Sequence, residues 1–474
     1  MNSVVAILAL SLVALYRPEQ WQHFPAMTEI RSIAVSPGNV YVAVPGGVYV
    51  LDARTLEHTR ALVPADGLGE DVLVCAWNAA RSELLVACET GLFSYLPQTD
   101  LMQKLAPPFS RVTSIGVSRS GAYLSTDRGL FRKHLTLDQF EPVESVPGQV
   151  FWHGELDTSS PLDHVFLTPY FFADEQLFNH PLGVVSRDSR RRRLLVAARG
   201  YGLLQYHLRT GMLERRIRLG PFGTVRRVAR TDGQLWLTGS SHITLVDSAG
   251  SWSSYLLAPG LPLPTGLRVR LTELVGSLRG INDFISESGQ TLLATDRGLF
   301  SALATGAALP VLTTSRPLLS LLRIGDTLLL GTDNGLYVPD HDSLVRVTEP
   351  TGRTDWGVYG MARAGNGSLW FATLGGLVTR DSLGTWQRLS PPGVNPSAPV
   401  RAIATDDQRL FFGFDGGVGA YDLRTGGWTF WDSSTGVPGG AITALYADSG
   451  RLWIATPGMV SIFDYGRELP GPRR

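Results

Sequence analysis

The chain has few of the residues that bind metals or form covalent cross-links. Its 474 residues include two cysteines, Cys75 and Cys88, and nine histidines, none of which forms an H-x-x-x-H pair. Two cysteines are too few for a cysteine-based zinc site. Because they lie on apolar runs that flank one turn, the sequence leaves open a disulfide across a hairpin or two buried thiols.

Charged residues of either sign are also scarce. They make up 18% of the chain, and 42 Lys and Arg residues balance 42 Asp and Glu residues. A chain without net charge lacks the field that attracts proteins to nucleic acid or to an anionic membrane surface. We therefore expect neither nucleic acid nor a membrane as a partner.

Long apolar runs are confined to the N-terminus. The segment "VVAILALSLVAL" (Val4–Leu15) is followed by Arg17 and Pro18. It is too short to cross a bilayer and is typical of the apolar region of a signal peptide. We assign residues 1–16 to a signal peptide and residues 17–474 to an extracytoplasmic protein, periplasmic or secreted. A buried first strand is the alternative interpretation of this segment.

Familiar catalytic signatures are missing from the sequence. It contains no G-x-x-x-x-G-K-[ST] phosphate-binding loop and no G-x-S-x-G nucleophile elbow. We therefore predict no catalytic residue, no cofactor and no metal ligand, and we expect that the protein is not an enzyme.

What the sequence does contain is one phrase repeated ten times. Examples are "QTLLATDRGLFSA" (290–302), "GSLWFATLGGLVTRD" (367–381) and "GRLWIATPGMVSIFD" (450–464), and most copies are about 37 to 44 residues apart. Repeats of this length indicate stacked supersecondary units. Each copy is typical of four short strands, with a glycine-containing hairpin turn between the second and the third.

Every copy has a small residue at the same place in its second strand. These residues are Ala43, Ala87, Ser125, Ala198, Thr238, Ala294, Gly331, Ala372, Gly413 and Ala455. A position that admits only small side chains predicts that neighbouring sheets approach closely, as in a radial arrangement of sheets. We predict an all-β fold, a single β-propeller of about ten four-stranded blades. Two smaller propellers are the alternative.

The last copy lacks a fourth strand, and the N-terminus contains a candidate for it. The segment "PEQWQHFPAM" (Pro18–Met27) is similar to the fourth strand of another copy, "GTWQRLSPPG" (384–393). We predict that this N-terminal strand completes the last blade and closes the ring, because closure removes an exposed sheet edge.

The phrase "LW-x-AT-xx-GL" resembles the two-component-regulator propeller repeat of ligand-binding sensor domains in bacterial periplasmic and cell-surface proteins. The resemblance covers residues from about Trp21 to Asp464. The start, "PEQWQHF…IRSIAVSPGNVYVAVPGGVYVLD", is also similar to the first blade of PorZ, the propeller component of the type IX secretion machinery. These resemblances imply a ligand- or protein-binding or scaffold module at the cell envelope.

Two functions from other classes stay open. Bacterial streptogramin lyases are propellers with similar repeats, which implies a metal-dependent lyase or hydrolase with a histidine and acidic residues around Mg²⁺. We find no such set of residues in the sequence. A structural component of a secretion or surface-assembly apparatus is the other alternative.

Two insertions interrupt the regular spacing, at about 140–180 and 259–279, and both are predicted on the face that bears the hairpin turns. The first contains five aromatic residues close together, namely Phe166, Tyr170, Phe171, Phe172 and Phe178. If exposed, these side chains favour an envelope protein or a glycan as partner. If folded inward, they cap the channel instead.

Acidic residues in five hairpin turns form a second candidate site. They are Glu89, Asp127, Asp296, Asp333 and Asp415. On one ring they would form a polar rim for a ligand or a cation, although turn chemistry alone also explains them. We expect the protein to be a monomer.

Overall fold

The computed structural model describes residues 17–467, apart from 147, 158, 168–169, 232, 241, 257–279, 288–289, 303–307, 349–356 and 396–397. The predicted signal peptide and the second insertion therefore lie outside the described residues. The fold is all-β, as predicted, and its only helices among the described residues are single 3-10 turns at Pro18–Gln20, Pro64–Asp66, Pro161–Asp163, Val165–Leu167, Ser433–Thr435 and Tyr465–Arg467. None of the described helices has the length and apolar character needed to cross a membrane.

The chain divides into two compact units, and the boundary falls within the first strand, β1 (Trp21–Pro25). The four-sheet unit comprises Gln22–Phe222. The six-sheet unit comprises the segment that ends at Trp21 together with the chain from Gly223 onwards. The prediction of one ring of about ten blades is therefore not confirmed, and the division agrees with the alternative of two smaller propellers.

The four-sheet unit follows the predicted order of strands, with additions in its last two sheets. Its first two sheets are β2 (Ser32–Val35), β3 (Asn39–Val44), β4 (Gly47–Asp52), β5 (His58–Leu62) and β6 (Val72–Asn78), β7 (Glu83–Cys88), β8 (Gly91–Leu96), β9 (Leu101–Lys104). The third contains β10 (Val112–Ser118), β11 (Gly121–Thr126), β12 (Gly129–Lys133), β13 (Phe140–Pro142) and β14 (Phe151–Gly154), in the order β13-β12-β11-β10-β14. The fourth contains, in sequence order, β15 (Phe171–Ala173), β16 (Asn179–Asp188), β17 (Arg193–Ala198), β18 (Gly202–His207) and β19 (Leu213–Ile217).

The six-sheet unit begins with five four-stranded sheets in sequence order. They are β20 (Val225–Thr231), β21 (Gln234–Gly239), β22 (His242–Val246), β23 (Trp252–Leu256); β24 (Ile281–Glu287), β25 (Gln290–Thr295), β26 (Gly298–Ala302), β27 (Ala308–Thr313); β28 (Leu318–Ile324), β29 (Thr327–Thr332), β30 (Gly335–Asp340), β31 (Ser343–Arg346); β32 (Val358–Arg363), β33 (Leu369–Thr373), β34 (Gly376–Arg380), β35 (Trp386–Leu389); and β36 (Ala402–Thr405), β37 (Arg409–Phe414), β38 (Gly417–Asp422), β39 (Trp428–Asp432). The sixth contains β40 (Ala444–Asp448), β41 (Arg451–Thr456) and β42 (Met459–Asp464), with β1 as its fourth strand in the order β1-β42-β41-β40.

The prediction that the N-terminal strand completes the last sheet is confirmed. Trp21, the first residue of β1, stacks on Phe463 of β42 with ring centroids 4.4 Å apart. Both side chains belong to a buried cluster with Phe411, Trp431 and Ile454, which joins the last two sheets of the six-sheet unit. The N-terminal strand therefore contributes to the core of this unit as well as to its hydrogen bonding.

The first strands of the six sheets contact one another in a closed cycle. Contacts run from β20 to β24, β28, β32, β36 and β40, and β40 contacts β20. An ion pair of 2.8 Å between Arg230 of β20 and Asp448 of β40 lies at this closing contact. The six-sheet unit thus has the radial neighbour order of a propeller, with its first strands innermost.

The repeated small residue has the packing role predicted for it. Nine of the ten are buried and Ser125 is half-buried. A Cβ atom at Gly413 would lie 2.5 Å from Cβ of Ile442, and one at Gly331 would lie 2.6 Å from the carbonyl oxygen of Val358. Ile442 and Val358 both belong to the beginning of the next sheet, so sheet-on-sheet approach leaves no space for a larger side chain.

The "AT-xx-G" part of the phrase forms a hairpin turn through its threonine. The hydroxyls of Thr295 and Thr373 donate hydrogen bonds to the carbonyl oxygens of Gly298 and Gly376, at 2.9 and 2.7 Å. Gly298 has φ of +129°, a conformation that L-residues rarely adopt. The threonine and glycine therefore recur because they build the same turn in different sheets.

Candidate functional site

Four of the six innermost strands of the six-sheet unit carry a bulge near their starts. Register shifts occur between Val225 and Arg227, Ile281 and Asp283, Leu318 and Ser320, and Val358 and Gly360. The residues skipped by these ladders are Arg226, Asn282, Leu319 and Tyr359. At the corresponding place in the other two sheets, Arg401 and Thr443 stand just before the first ladder residues, Ala402 and Ala444. Bulges redirect side chains, and here all six of these residues line one pocket.

This pocket lies among the first strands of all six sheets, and we call it the axial pocket. It is lined by the six residues just named and by neighbours such as Arg227 and Asp283. Because the first strands form a closed cycle, a pocket that touches each of them lies on the axis of the six-sheet unit.

The half-buried Arg227 and the buried Asp283 form an ion pair at the wall of the axial pocket. Nε of Arg227 lies 2.9 Å from Oδ1 of Asp283, in an ion-pair contact without hydrogen-bond geometry. Asp283 also accepts hydrogen bonds from the backbone amides of Phe284 (2.7 Å) and Leu321 (2.8 Å). Burial raises the pKa of Asp283, although Arg227 and the two amides oppose this effect.

Arg226 is held by a neighbouring polar network. Its Nη1 donates a hydrogen bond to Oδ1 of Asn282 and lies 3.7 Å from Oδ1 of Asp296. Nδ2 of Asn282 in turn donates to Oδ1 of Asp296 (2.8 Å) and to the carbonyl oxygen of Leu318 (2.9 Å). Asn282 is buried, so this network fixes the position of Arg226 at the pocket.

Arg401 differs from the other two arginines. Its side chain is exposed at the pocket and forms no hydrogen bond or ion pair with any residue that the structure describes. The pocket lining contains three arginines and one aspartate, Asp283, and a second aspartate, Asp296, lies 3.7 Å from Arg226. Arg401 is thus the arginine without an ion-pair partner among the described residues, and its guanidinium is available to a ligand.

The four-sheet unit has a different axis, which is filled by part of the first insertion. Strand β14 pairs with β10 along Phe151–Gly154 and contacts β2 and β6, the first strands of two other sheets. Gly116 of β10 permits this approach, because a Cβ atom there would lie 2.5 Å from the Val150 side chain. A strand that touches three innermost strands lies at the axis, so this part of the insertion occupies the channel position.

The same insertion also bridges the third and fourth sheets. The amide of Leu156 donates to Oγ of Ser114 in β10 (2.8 Å), and the hydroxyl of Ser159 donates to the carbonyl oxygen of Val185 in β16 (2.9 Å). The insertion is therefore a structural component of the four-sheet unit.

The predicted aromatic residues lie around a hairpin formed by β15, a turn and the start of β16, which we call the aromatic hairpin (residues 170–181). Phe172 is 7% exposed and packs edge-on against Tyr201 at 4.6 Å, so it belongs to the core. Tyr170, Phe171 and Phe178 are exposed, and Leu177 at the tip is 81% exposed. Outside the hairpin, Phe166 is 37% exposed, and its ring centroid lies 6.2 Å from that of Tyr206.

Polar contacts hold the aromatic hairpin in place. Asp174 accepts hydrogen bonds from the amides of Gln176 (2.8 Å) and Phe178 (2.9 Å), and its other oxygen lies 3.0 Å from Nε2 of His180. Glu175 forms ion pairs with Arg216 (2.7 Å) and Arg218 (3.1 Å). The exposed apolar residues are thus presented by a fixed scaffold.

The five acidic turn residues are divided between the two units. Glu89 and Asp127 belong to the four-sheet unit, whereas Asp296, Asp333 and Asp415 belong to the six-sheet unit. Asp127 accepts a hydrogen bond from the Ser110 hydroxyl (2.6 Å), which with nearby backbone amides lowers its pKa. Asp296 is the member that meets the axial pocket, through Asn282 and Arg226. That the five acidic residues form one polar rim stays a prediction.

The cysteines and potential metal ligands offer no further site among the described residues. Cys75 and Cys88 are free and buried, and burial raises the pKa of the Cys75 thiol to about 11 and that of Cys88 to about 12. Within the part of the chain that the structure describes, no three His, Cys, Asp or Glu side chains are grouped to hold a metal ion.

Comparison with known proteins identifies the fold. No family profile matches the chain, and no curated protein matches it. Among solved structures it is similar to PorZ, a surface component of the type IX secretion system of Porphyromonas gingivalis, with a TM-score of 0.52 and 11% identity over 94% of this chain and 87% of that one. It also matches the extracellular domain of BT3049 of B. thetaiotaomicron, assigned to a hybrid two-component system, with a TM-score of 0.40 and 17% identity over 98% and 72% of the two chains. These neighbours agree with the two resemblances noted in the sequence.

Proposed function

We propose that the protein is an exported β-propeller protein that acts as a binding or scaffold module at the cell envelope. The observation that carries this proposal is the aromatic hairpin, which exposes Tyr170, Phe171, Leu177 and Phe178 on a scaffold fixed by Asp174 and Glu175. Exposed apolar and aromatic side chains cluster in this way at protein interfaces. The predicted signal peptide supports an extracytoplasmic location.

A protein partner suits this surface better than a glycan. Glycan recognition relies on aromatic faces combined with polar groups, whereas the tip of the hairpin is Leu177, an aliphatic side chain that is 81% exposed. Aromatic rings beside an aliphatic tip match the apolar centre of a protein interface. A role as a structural part of a secretion or surface-assembly apparatus is compatible with such an interface.

The experiment is site-specific photocrosslinking of the mature chain in envelope extract, with the crosslinker at Leu177 and a control at Leu383, which is 90% exposed in the six-sheet unit. We expect a defined protein adduct from position 177 and none from position 383. Tyr170→Ala combined with Phe171→Ala is expected to reduce the adduct several-fold, since hot-spot aromatics dominate interfaces, while the melting temperature stays nearly unchanged.

Three results would argue against this proposal or against a protein as the partner. Equal labelling from both positions would mean that contact is non-specific. A large fall in melting temperature for the double variant would show that these rings stabilise the fold. Capture that resists protease but is lost after glycosidase treatment would replace the protein partner with a glycan.

A further inference from the structure

We infer that the axial pocket of the six-sheet unit is a binding site for a small ligand that carries an oxyanion, either a carboxylate or a phosphate. This site is separate from the aromatic hairpin, which belongs to the four-sheet unit. The ligand class follows from the unpaired charge and the free hydrogen-bond donors of the pocket.

The guanidinium of Arg401 has no partner among the described residues. An arginine presents five N–H donors in a planar fork that matches carboxylate and phosphate oxygens in pairs. Arg401 forms no ion pair with a described acidic side chain, although Asp283 lines the same pocket. Asp283 is instead engaged by Arg227 and by two backbone amides. The carboxylate of Asp283 is therefore paired with other groups and forms no ion pair with Arg401.

Arg226 and Arg227 place further guanidinium donors in the same pocket. Arg226 is held by Asn282 and Asp296, Arg227 is held by Asp283, and each guanidinium has more donors than these contacts use. Anchored cations lose little conformational freedom when a ligand binds, which favours affinity. The buried positions of Asn282 and Asp283 show that these anchors are built into the sheet starts.

The remaining lining residues favour a partly polar ligand. The side chains of Tyr359 and Leu319 line the same pocket as Arg401. The hydroxyl of Thr443 donates a hydrogen bond to the carbonyl oxygen of Ala455 (3.2 Å), so it can accept one from a ligand but not donate to it. A sugar acid or a small phosphorylated molecule combines the required anionic group with hydroxyl groups.

The test is isothermal titration calorimetry on the full chain with three probes: inorganic phosphate, D-glucuronate and D-glucose. We expect phosphate or glucuronate to bind and neutral glucose not to bind, and the two anions distinguish a phosphate site from a carboxylate site. Arg401→Ala is expected to weaken anion binding about tenfold or more, because it removes a charge-assisted pair of hydrogen bonds.

Arg424→Ala is the matched control, since Arg424 is an exposed arginine in the turn between β38 and β39 of the sheet that Arg401 precedes. It is expected to leave binding unchanged. Because Arg401 has no described partner, Arg401→Ala is also expected to keep the melting temperature of the native protein.

The inference is overturned if neither anion binds, if glucose binds as well as glucuronate, or if Arg401→Ala and Arg424→Ala behave alike. Crosslinking from Leu177 would still report on the aromatic hairpin in each of these cases. A failure of the axial site is therefore distinguishable from a failure of the proposed binding function.

Discussion

The two units use the same sheet plan but treat their axes in opposite ways. In the four-sheet unit, β14 of the insertion pairs with β10 and contacts β2 and β6. In the six-sheet unit, the first strands contact one another in a closed cycle around a pocket lined by Arg226, Arg227 and Arg401. One axis holds a strand and the other holds polar side chains around open space.

This difference separates the role of the repeat from the role of the residues added to it. The repeated phrase builds the turns and the close sheet packing in both units, so it carries no information about a ligand. Function is instead expected where the chain departs from the repeat, at the insertion in one unit and at the first-strand bulges in the other. Loops and bulges of this kind tolerate variation that the packed sheets do not.

The largest expected difference between the units is their response to acid. His23 of the four-sheet unit is buried and His58 is half-buried, and this burial lowers the pKa of each to about 4 from 6.5. As the pH falls from about 6.5 to 4, the unfolded chain takes up protons that these folded-state histidines do not, so unfolding becomes easier. Each histidine is expected to cost about 3 kcal/mol of the free energy of unfolding by pH 4.

Urea unfolding of the wild type and of His58→Phe between pH 4 and pH 7 measures this effect. Phenylalanine keeps an aromatic ring beside Phe24 and Tyr49, which lie 5.0 and 5.4 Å from the His58 ring. The variant is expected to lose the contribution of His58, about 3 kcal/mol, whereas the other histidines with lowered pKa values, His23, His153 and His242, keep theirs. An unchanged slope would show that His58 does not resist protonation in the folded protein.

A smaller effect is expected from forcing β14 away from the axis of the four-sheet unit. Gly116→Val places side-chain atoms where the Val150 and Trp152 side chains now lie, 2.5 and 3.0 Å from a Cβ atom. We expect a loss of about 2 kcal/mol in the free energy of unfolding, a usual cost of overpacking. Amide hydrogens of β14 are also expected to exchange faster in the variant.

Gly148→Val is the control for this change, because a Cβ atom at Gly148 meets nothing within 4 Å. It belongs to the same insertion and is expected to change neither stability nor exchange. If Gly116→Val behaves like Gly148→Val, β14 does not pack in the axis as described, and the contrast between the two units is lost.

Most of the sheet architecture was predictable because it is encoded locally. Gly298 and Thr295 make a turn from residues that are close in sequence, and the small residue at Gly413 follows the same spacing in each copy. The N-terminal strand was also predictable, since the last copy lacks a fourth strand. The division into units was not, because the angle between consecutive sheets determines where a ring closes, and small residues specify only that sheets are close.

The candidate sites were predictable to different degrees. Phe171 and Phe178 are close in sequence and lie in an insertion, so they were found, whereas burial of Phe172 depends on a distant residue, Tyr201. Arg226 and Arg401 were missed because they stand in different repeats and become neighbours only through the sheet cycle. What they share is their place, at or just before the start of a first strand. A single sequence does not mark this place.

The most direct test of the axial pocket is the reactivity of a cysteine placed inside it. In the variant Thr443→Cys, we compare the rate at which the new thiol reacts with an anionic methanethiosulfonate reagent and with a cationic one. The native Cys75 and Cys88 are buried and have raised pKa values, so they contribute only a slow background reaction, which the wild type measures. We expect the anionic reagent to react about tenfold faster, because the unpaired guanidinium of Arg401 attracts anions to the pocket. A thiol that is unreactive, or that reacts faster with the cationic reagent, would contradict an open and positively charged axis.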